Sequence, residues 1–179
     1  MTNHPLKQPK YAIMVRIIHW VFIPLIMFSI VTGTIMTQVG FDDPLSYYLP
    51  QYHYLSGLIL LALLFSRIIW RIISKTPVYS PAISTFNIII AKCIQASMLV
   101  AITMVLISGY LLATADGNPA KLPWGLWLIQ ISPDDVFTLE FMLSVHVAAI
   151  ITFFVLLFVH ITGFIKQQIS QSSFIKRIF

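Results

Sequence analysis

The sequence predicts an all-α integral membrane protein, a bundle of four transmembrane helices with both termini in the cytoplasm. Hydrophobic residues make up 58% of the 179-residue chain and charged residues only 9%, whereas a soluble domain carries roughly a quarter charged residues. Four apolar runs are each long enough to span a bilayer, which takes about 20 residues. Nearly all cations lie beside those ends of the runs that are predicted to be on the same side of the membrane. This distribution indicates membrane topology rather than a nucleic-acid-binding patch.

The predicted spans cover residues 13–37, 52–73, 88–113 and 140–165. The first run follows a basic N-terminus without a small-residue cleavage site, so we expect it to be retained as a helix. Pro24 lies inside this span and is expected to kink it. The chain shows no tandem repeat, and we treat residues 1–179 as a single domain.

The distribution of charge predicts the orientation of the spans. Lys121 is the one cation on the predicted outer side, which also holds all six acidic residues. The ten cations of the opposite side are Lys7, Lys10, Arg16, Arg67, Arg71, Lys75, Lys92, Lys166, Lys176 and Arg177. By the positive-inside rule, that side faces the cytoplasm.

The two predicted outer loops are rich in aromatic residues. They contain Tyr47, Tyr48, Tyr52, Trp124 and Trp127. An amphipathic ring is satisfied at both ends in the headgroup layer. We therefore interpret these residues as an interfacial belt rather than as a binding site.

Four of the five histidines lie in or beside the spans, at two depths. His53 and His146 would lie near the outer face, and His19 and His160 near the inner face. His146 and His160 are fourteen residues apart, which places them about 21 Å apart on nearly the same side of a helix. A lone histidine in a membrane helix is usually a hydrogen-bonding or lining residue, but four at paired depths predict axial ligation of two b-type haems.

The facing pairs would be His53 with His146 and His19 with His160, because any other pairing of these histidines would join residues at opposite membrane faces. A tetrahedral zinc site needs all its ligands in one coordination sphere, which the separation of the two levels excludes. A proton relay would be expected to include a carboxylate within the membrane, and none is present, since Glu140 lies at the outer end of the fourth span. The single cysteine, Cys93, excludes an internal disulfide, and the lack of a CxxCH motif excludes covalent haem attachment.

Other residues of the spans suit the same cofactor. Gly33 and Gly57 lie at the level of the outer histidines and would leave room for a porphyrin. Arg16, Arg67 and Arg71 lie at the inner level, where haem propionates need cationic partners. Anchoring the topology is the alternative role for Arg67 and Arg71.

These features resemble the bacterial cytochrome b561 family. The resemblance rests on RIIHW around His19, YHYLSG around His53, LISGYLLATADGNP at the end of the third span, and HVAAI with FVHITG around His146 and His160. It covers nearly the whole chain and implies a dihaem protein of the bacterial inner membrane whose two haem b groups are ligated by these four histidines.

The family includes superoxide oxidases, which pass electrons from periplasmic superoxide to ubiquinone. The resemblance therefore implies a superoxide:ubiquinone oxidoreductase. The alternative is a haem b subunit that links a hydrogenase or dehydrogenase, as redox-protein donor, to the quinone pool. A haem-free scaffold or transporter is an alternative from another class.

Two further positions bear on activity. Many relatives carry a histidine in the third span, in a pattern like AxxxHxxLY, where this chain has Gln95 and Met98. Gln95 forms hydrogen bonds but does not titrate, so a role of this position in proton delivery or quinone contact stays open. Lys121 is a candidate for steering the superoxide anion, with a tolerated loop lysine as the alternative.

Overall fold

The computed structural model describes residues 10–75, 83–115 and 120–170. This part of the chain forms four long helices, α1 over Ile13–Met36, α2 over Leu45–Ile73, α3 over Thr85–Ala113 and α4 over Val136–Ser170, with a short 3-10 turn at Pro123–Gly125. All four helices are long and apolar enough to cross a membrane. The predicted all-α four-helix membrane bundle is confirmed, while the cytoplasmic side of the termini and the single-domain organisation stay predictions.

Three helices, α2, α3 and α4, begin earlier than predicted. The start of α2 lies seven residues before the expected position, and the carboxylate of Asp43, just before the helix, accepts a hydrogen bond at 2.8 Å from the backbone N–H of Leu45. The first turns of α2 therefore hold the tyrosines that we assigned to a loop, Tyr47, Tyr48 and Tyr52. Polar and aromatic residues in these turns hide the apolar pattern on which the predicted boundary depended.

The early start of α4 also depends on an aspartate cap. The carboxylate of Asp135 accepts hydrogen bonds from the backbone N–H of Thr138 at 2.7 Å and from its hydroxyl at 2.6 Å. These hydrogen bonds from Thr138 hold the pKa of Asp135 below its usual value. An oxygen acceptor at this position satisfies N–H groups that have no partner within the helix.

Replacing Asp135 with alanine should fray the first turn of α4, seen as faster backbone amide exchange near Thr138. A carboxylate whose pKa is lower in the folded state stabilises it at neutral pH, and this contribution is lost as pH falls through the folded-state pKa. In the unmodified chain the protection factors of these amides, which correct for the intrinsic pH dependence of exchange, should therefore fall in acid. Asp135→Asn caps without titrating and should remove the acid dependence, whereas Asp134→Ala is the matched control. Equal exchange in Asp135→Ala and the unmodified chain would contradict the capping role.

The four helices pack as two hairpins. The first consists of α1 and α2, the second of α3 and α4, and the hairpins meet along a shorter contact between α2 and α3. Among the described helices, no Cα atom of α2 lies within 8 Å of one of α4, and the same is true of α1 and α4. We call the end of the bundle that carries the α1–α2 and α3–α4 connections the outer end, and the opposite end the inner end.

A buried apolar cluster joins the two hairpins near mid-depth. Phe153 of α4 is 7% exposed in this cluster and lies seven residues from each histidine of its helix. The other members are Ile18, Phe22, Leu60, Leu64, Ala101, Ile102 and Leu106. Many large apolar side chains elsewhere on the helices are exposed, as expected for surfaces that face lipid.

The segment after α3 folds back over the outer end. The N–H of Leu122 donates to the carbonyl of Leu126 at 2.8 Å, and the hydroxyl of Tyr110 donates to the carbonyl of Ile129 at 2.7 Å. Trp124 is 82% exposed and Trp127 is 55% exposed, and their place in an interfacial belt stays a prediction. The described residues do not include His4, Lys7, Asp116, the GNP motif at 117–119, Lys176 and Arg177.

Candidate functional site

His53 of α2 is docked against α1. Its ring nitrogen Nδ1 lies 3.0 Å from the carbonyl oxygen of Ser29 and 3.4 Å from the hydroxyl oxygen of Thr32. A Cβ atom at Gly33 would lie only 2.8 Å from the ring carbon Cε1. Gly33 therefore makes room for the imidazole itself, a more local role than the predicted room for a porphyrin.

His146 of α4 is docked against α3 in the same way. Its Nδ1 lies 2.9 Å from the carbonyl oxygen of Val105 and 3.2 Å from the hydroxyl oxygen of Ser108. A Cβ atom at Gly109 would lie 2.8 Å from Cε1 of this ring. Ser108 and Gly109 belong to the LISGYLLATADGNP motif, and no role was predicted for either residue.

The two docking sites use one local arrangement. In SIVTG (29–33) and VLISG (105–109), the carbonyl comes first, the hydroxyl three residues later and the glycine four residues later. These positions share one helix face. The α1–α2 and α3–α4 hairpins therefore share one histidine-docking arrangement, although the sequence shows no tandem repeat.

The two hairpins also correspond in the spacing of residues toward the inner end. Fourteen residues before Gly33 and Gly109 stand His19 and Gln95, and fourteen residues after the docked histidines stand Arg67 and His160. The spacing is 76 residues between the two glycines and 93 between the two docked histidines. Because these spacings differ, no single offset aligns both helices, and the correspondence is difficult to see in the sequence.

The hydrogen bonds define the proton positions on the two docked rings. The hydroxyl of Thr32 donates to the carbonyl of Phe28 at 2.9 Å, and that of Ser108 donates to the carbonyl of Met104 at 2.5 Å. Each hydroxyl oxygen therefore faces its histidine as an acceptor. Since a carbonyl also only accepts, Nδ1 must carry the proton, which leaves the lone pair of Nε2 available to a metal.

The docked histidines come from different hairpins, His53 from α2 and His146 from α4. No Cα atom of α2 lies within 8 Å of a Cα atom of α4. Among the described residues, no three His, Cys, Asp or Glu side chains converge on a common point. A facing pair of imidazoles is the arrangement that bis-histidine haem ligation requires.

The inner end holds His19, His160 and a half-buried cation. The Nη1 atom of Arg67 lies 3.4 Å from Nδ1 of His19, and its guanidinium lies 5.7 Å from the centroid of the Phe22 ring. The charge of Arg67 acts on both histidines, which also interact with each other. Because a guanidinium only donates, Nδ1 of His19 accepts a hydrogen bond from Arg67 here. Ligation of a metal through Nε2 would require Nδ1 to carry the proton, so Arg67 would have to leave His19. A carboxylate is a stronger acceptor for the guanidinium and would favour this move.

The remaining residues that were predicted to bind the cofactor are Arg16, Arg71 and Gly57. Arg71 is exposed and lies 5.6 Å from the centroid of the Tyr11 ring rather than at a histidine. Arg16 is half-buried in the first turn of α1. A Cβ atom at Gly57 would meet no protein atom within 4 Å, so a flat group can lie against α2 one turn from the docked histidine. Gln95 is exposed on α3.

Lys121 lies in an aromatic setting at the outer end. Its ammonium donates a hydrogen bond at 2.9 Å to the hydroxyl of Tyr47, and it lies 5.4 Å and 5.3 Å from the ring centroids of Tyr47 and Trp127. These contacts tie the segment after α3 to the start of α2. The lysine therefore has a structural role besides the charge that suggested anion steering.

The chemistry of these residues fits haem b, whose iron takes imidazole ligands. At the outer end, His53 and His146 are each held through Nδ1, which leaves Nε2 free. At the inner level, the chain supplies two histidines and a cation suited to a propionate.

Comparison with known proteins agrees with this chemistry. The profile described as prokaryotic cytochrome b561 matches residues 10–179. Cytochrome b561 homolog 2 of Escherichia coli (strain K12) is 27% identical over 121 residues, which are 68% of this chain and 63% of that protein. The matched region thus spans less than two thirds of the length of the relative.

Proposed function

The chain belongs to the prokaryotic cytochrome b561 family, and on this premise we propose that it oxidises superoxide at the outer face of the inner membrane and reduces ubiquinone. Membership makes the protein a transmembrane electron-transfer protein that uses haem b. The substrates, the number of haems and the orientation of the chain are parts of the proposal.

The docking of His53 and His146 through Nδ1, one in each hairpin and with Nε2 free, is the observation that supports this proposal. We assign His53 and His146 to an outer haem and His19 and His160 to an inner haem. When bound, the haems supply one-electron chemistry. Arg67 would hold a propionate at the inner level, and Arg16 and Arg71 would support it from farther away.

The overall reaction balances as a two-electron process. Two superoxide anions each lose one electron and leave as O2, and one quinone takes up both electrons and two protons to become quinol. The chain would keep the two half-reactions apart, because the apolar cluster around Phe153 fills mid-depth and excludes water. The outer location of Lys121 places a positive charge where a small anion would arrive.

Mixing the purified haem-loaded protein with superoxide in a stopped-flow instrument tests the proposed reaction. A superoxide oxidase should show fast haem reduction, and quinone should then reoxidise the haem. Slow reduction that never saturates would contradict the proposal and favour the alternative, a subunit that receives electrons from a hydrogenase or dehydrogenase. The exposed acidic residues near the outer end suit a basic redox partner of that kind; they are Asp42, Asp43, Asp134, Asp135 and Glu140.

Replacing Lys121 with glutamine should slow superoxide-driven reduction several-fold at low ionic strength and flatten its salt dependence. A positive charge raises the local concentration of an anion, and salt screens this effect. Because Lys121 also holds Tyr47, the matched control is Tyr47→Phe, which removes the hydrogen bond but keeps the charge. Equal slowing by both variants, or an unchanged rate in Lys121→Gln, would show that the charge does not steer superoxide.

A further inference from the structure

The outer histidines are surrounded by hydrogen-bond acceptors. Each Nδ1–H faces two oxygens, a carbonyl and a hydroxyl whose own proton is donated to its helix. The hydroxyls belong to Thr32 and Ser108, which are 5% and 2% exposed. These two acceptors are therefore held in place and shielded from water.

The inner level has the opposite electrostatic character. The neighbour of Nδ1 of His19 is the guanidinium of Arg67, a donor that stays positively charged at any physiological pH. Its charge acts on His160 as well. If Arg67 moves from His19 to a propionate, it still leaves a positive charge at the inner level.

These contacts affect a bound iron in opposite directions. An acceptor on Nδ1–H increases the electron density and basicity of the ligating Nε2. A more basic ligand favours ferric iron and lowers the reduction potential, since hydrogen bonding around the ligands tunes the metal. A nearby cation favours the ferrous form, which carries one positive charge fewer, and raises the potential.

We propose that Thr32 and Ser108 lower the reduction potential at the outer level while Arg67 raises it at the inner level, so that electrons entering at the outer end are driven inward. The hydroxyl-bearing residues are positioning residues, because they act through the histidines. This inference depends on the two proposed haem sites but not on superoxide or ubiquinone as substrates. It gives the chain an intrinsic direction of electron transfer.

Redox titration of the purified haem-loaded protein, followed by haem absorption, tests this inference. His19→Ala should retain only the outer haem and His53→Ala only the inner haem, so that each potential is assigned separately. Adding Thr32→Val and Ser108→Ala to the outer-haem variant should shift its potential upward. We expect a change of up to about tenfold in the oxidised-to-reduced ratio, or about 59 mV for a one-electron couple. Adding Arg67→Gln to the inner-haem variant should shift its potential downward by a similar amount.

Matched variants separate tuning from a general disturbance of the bundle. Thr152→Val and Ser66→Ala remove hydroxyls that bond back to their own helices on exposed positions. Lys166→Gln removes a cation from the exposed inner part of α4. These three variants should leave both potentials unchanged, and Thr32→Ser should preserve the low outer potential because it keeps the hydroxyl.

An outer potential equal to or above the inner one would overturn the inference, as would unchanged potentials in the Thr32, Ser108 and Arg67 variants. A protein that takes up no haem would overturn both proposals. Two potentials in the expected order, without any reaction with superoxide, would overturn the proposed substrate and support the inference drawn here.

Discussion

Replacing His53 or His146 with alanine should yield a protein that contains one haem instead of two, with the same haem missing from both variants. Replacing His19 or His160 should remove the other haem. The reason is that each proposed iron has one imidazole from the α1–α2 hairpin and one from the α3–α4 hairpin, and a single remaining ligand holds haem b weakly. Haem content per chain and the potential of the remaining haem are the measurements.

The fifth histidine supplies a control for this experiment. His4→Ala should keep both haems, because the sequence places His4 before the first span. Added imidazole should restore the missing haem in His53→Gly, since it fills the space left by the side chain. Loss of one and the same haem from His53→Ala and His19→Ala would contradict the pairing. Failure of imidazole to restore any haem would contradict ligation by His53.

Replacing Gly33 or Gly109 with alanine should selectively weaken the outer haem. The new Cβ would lie 2.8 Å from Cε1 of the docked ring, and the ring cannot retreat without breaking its hydrogen bonds to Ser29 or Val105. Overpacking of this kind costs about 1–3 kcal/mol, which corresponds to roughly 5- to 150-fold in affinity. Haem titration of the haem-free protein would measure this loss.

Gly163 of α4 provides the matched control, because a Cβ atom there would meet no atom within 4 Å. Gly163→Ala should keep both haems and slightly stabilise the helix, since alanine has the higher helix propensity. The inner haem should persist in the Gly33 and Gly109 variants. Normal outer-haem affinity in Gly33→Ala and Gly109→Ala would mean that the docked position of the rings does not matter for ligation.

The sequence allowed prediction of the four helices and the depth of the histidines, because both depend on local patterns. Apolar length defines the spans, and a 3.6-residue period relates His146 to His160. The starts of α2, α3 and α4 were missed because they are supported by hydrogen bonds to the side chains of Asp43, Ser84 and Asp135, which lie outside the apolar runs. Family membership was also correctly inferred, from motifs around the four histidines.

The docking of the outer histidines was not predicted, because it depends on contacts between helices. Gly33 was predicted to leave room for a porphyrin, which stays a prediction, while its contact with the ring of His53 was not predicted. Ser108 and Gly109 were overlooked, although in both helices a glycine preceded by Thr or Ser lies fourteen residues after His19 or Gln95. The contact of Arg67 with His19 likewise depends on the packing of α2 against α1, which a single sequence does not specify.

The division into two hairpins has a consequence for biogenesis. A hairpin of two helices is a natural unit of insertion into the bilayer. The α1–α2 hairpin emerges from the ribosome well before the α3–α4 hairpin. Neither hairpin contains a complete axial pair for either proposed haem, so a half-synthesised chain would have no means of retaining the cofactor. Haem capture would then be the final step of maturation, and it would fasten the two inserted halves together.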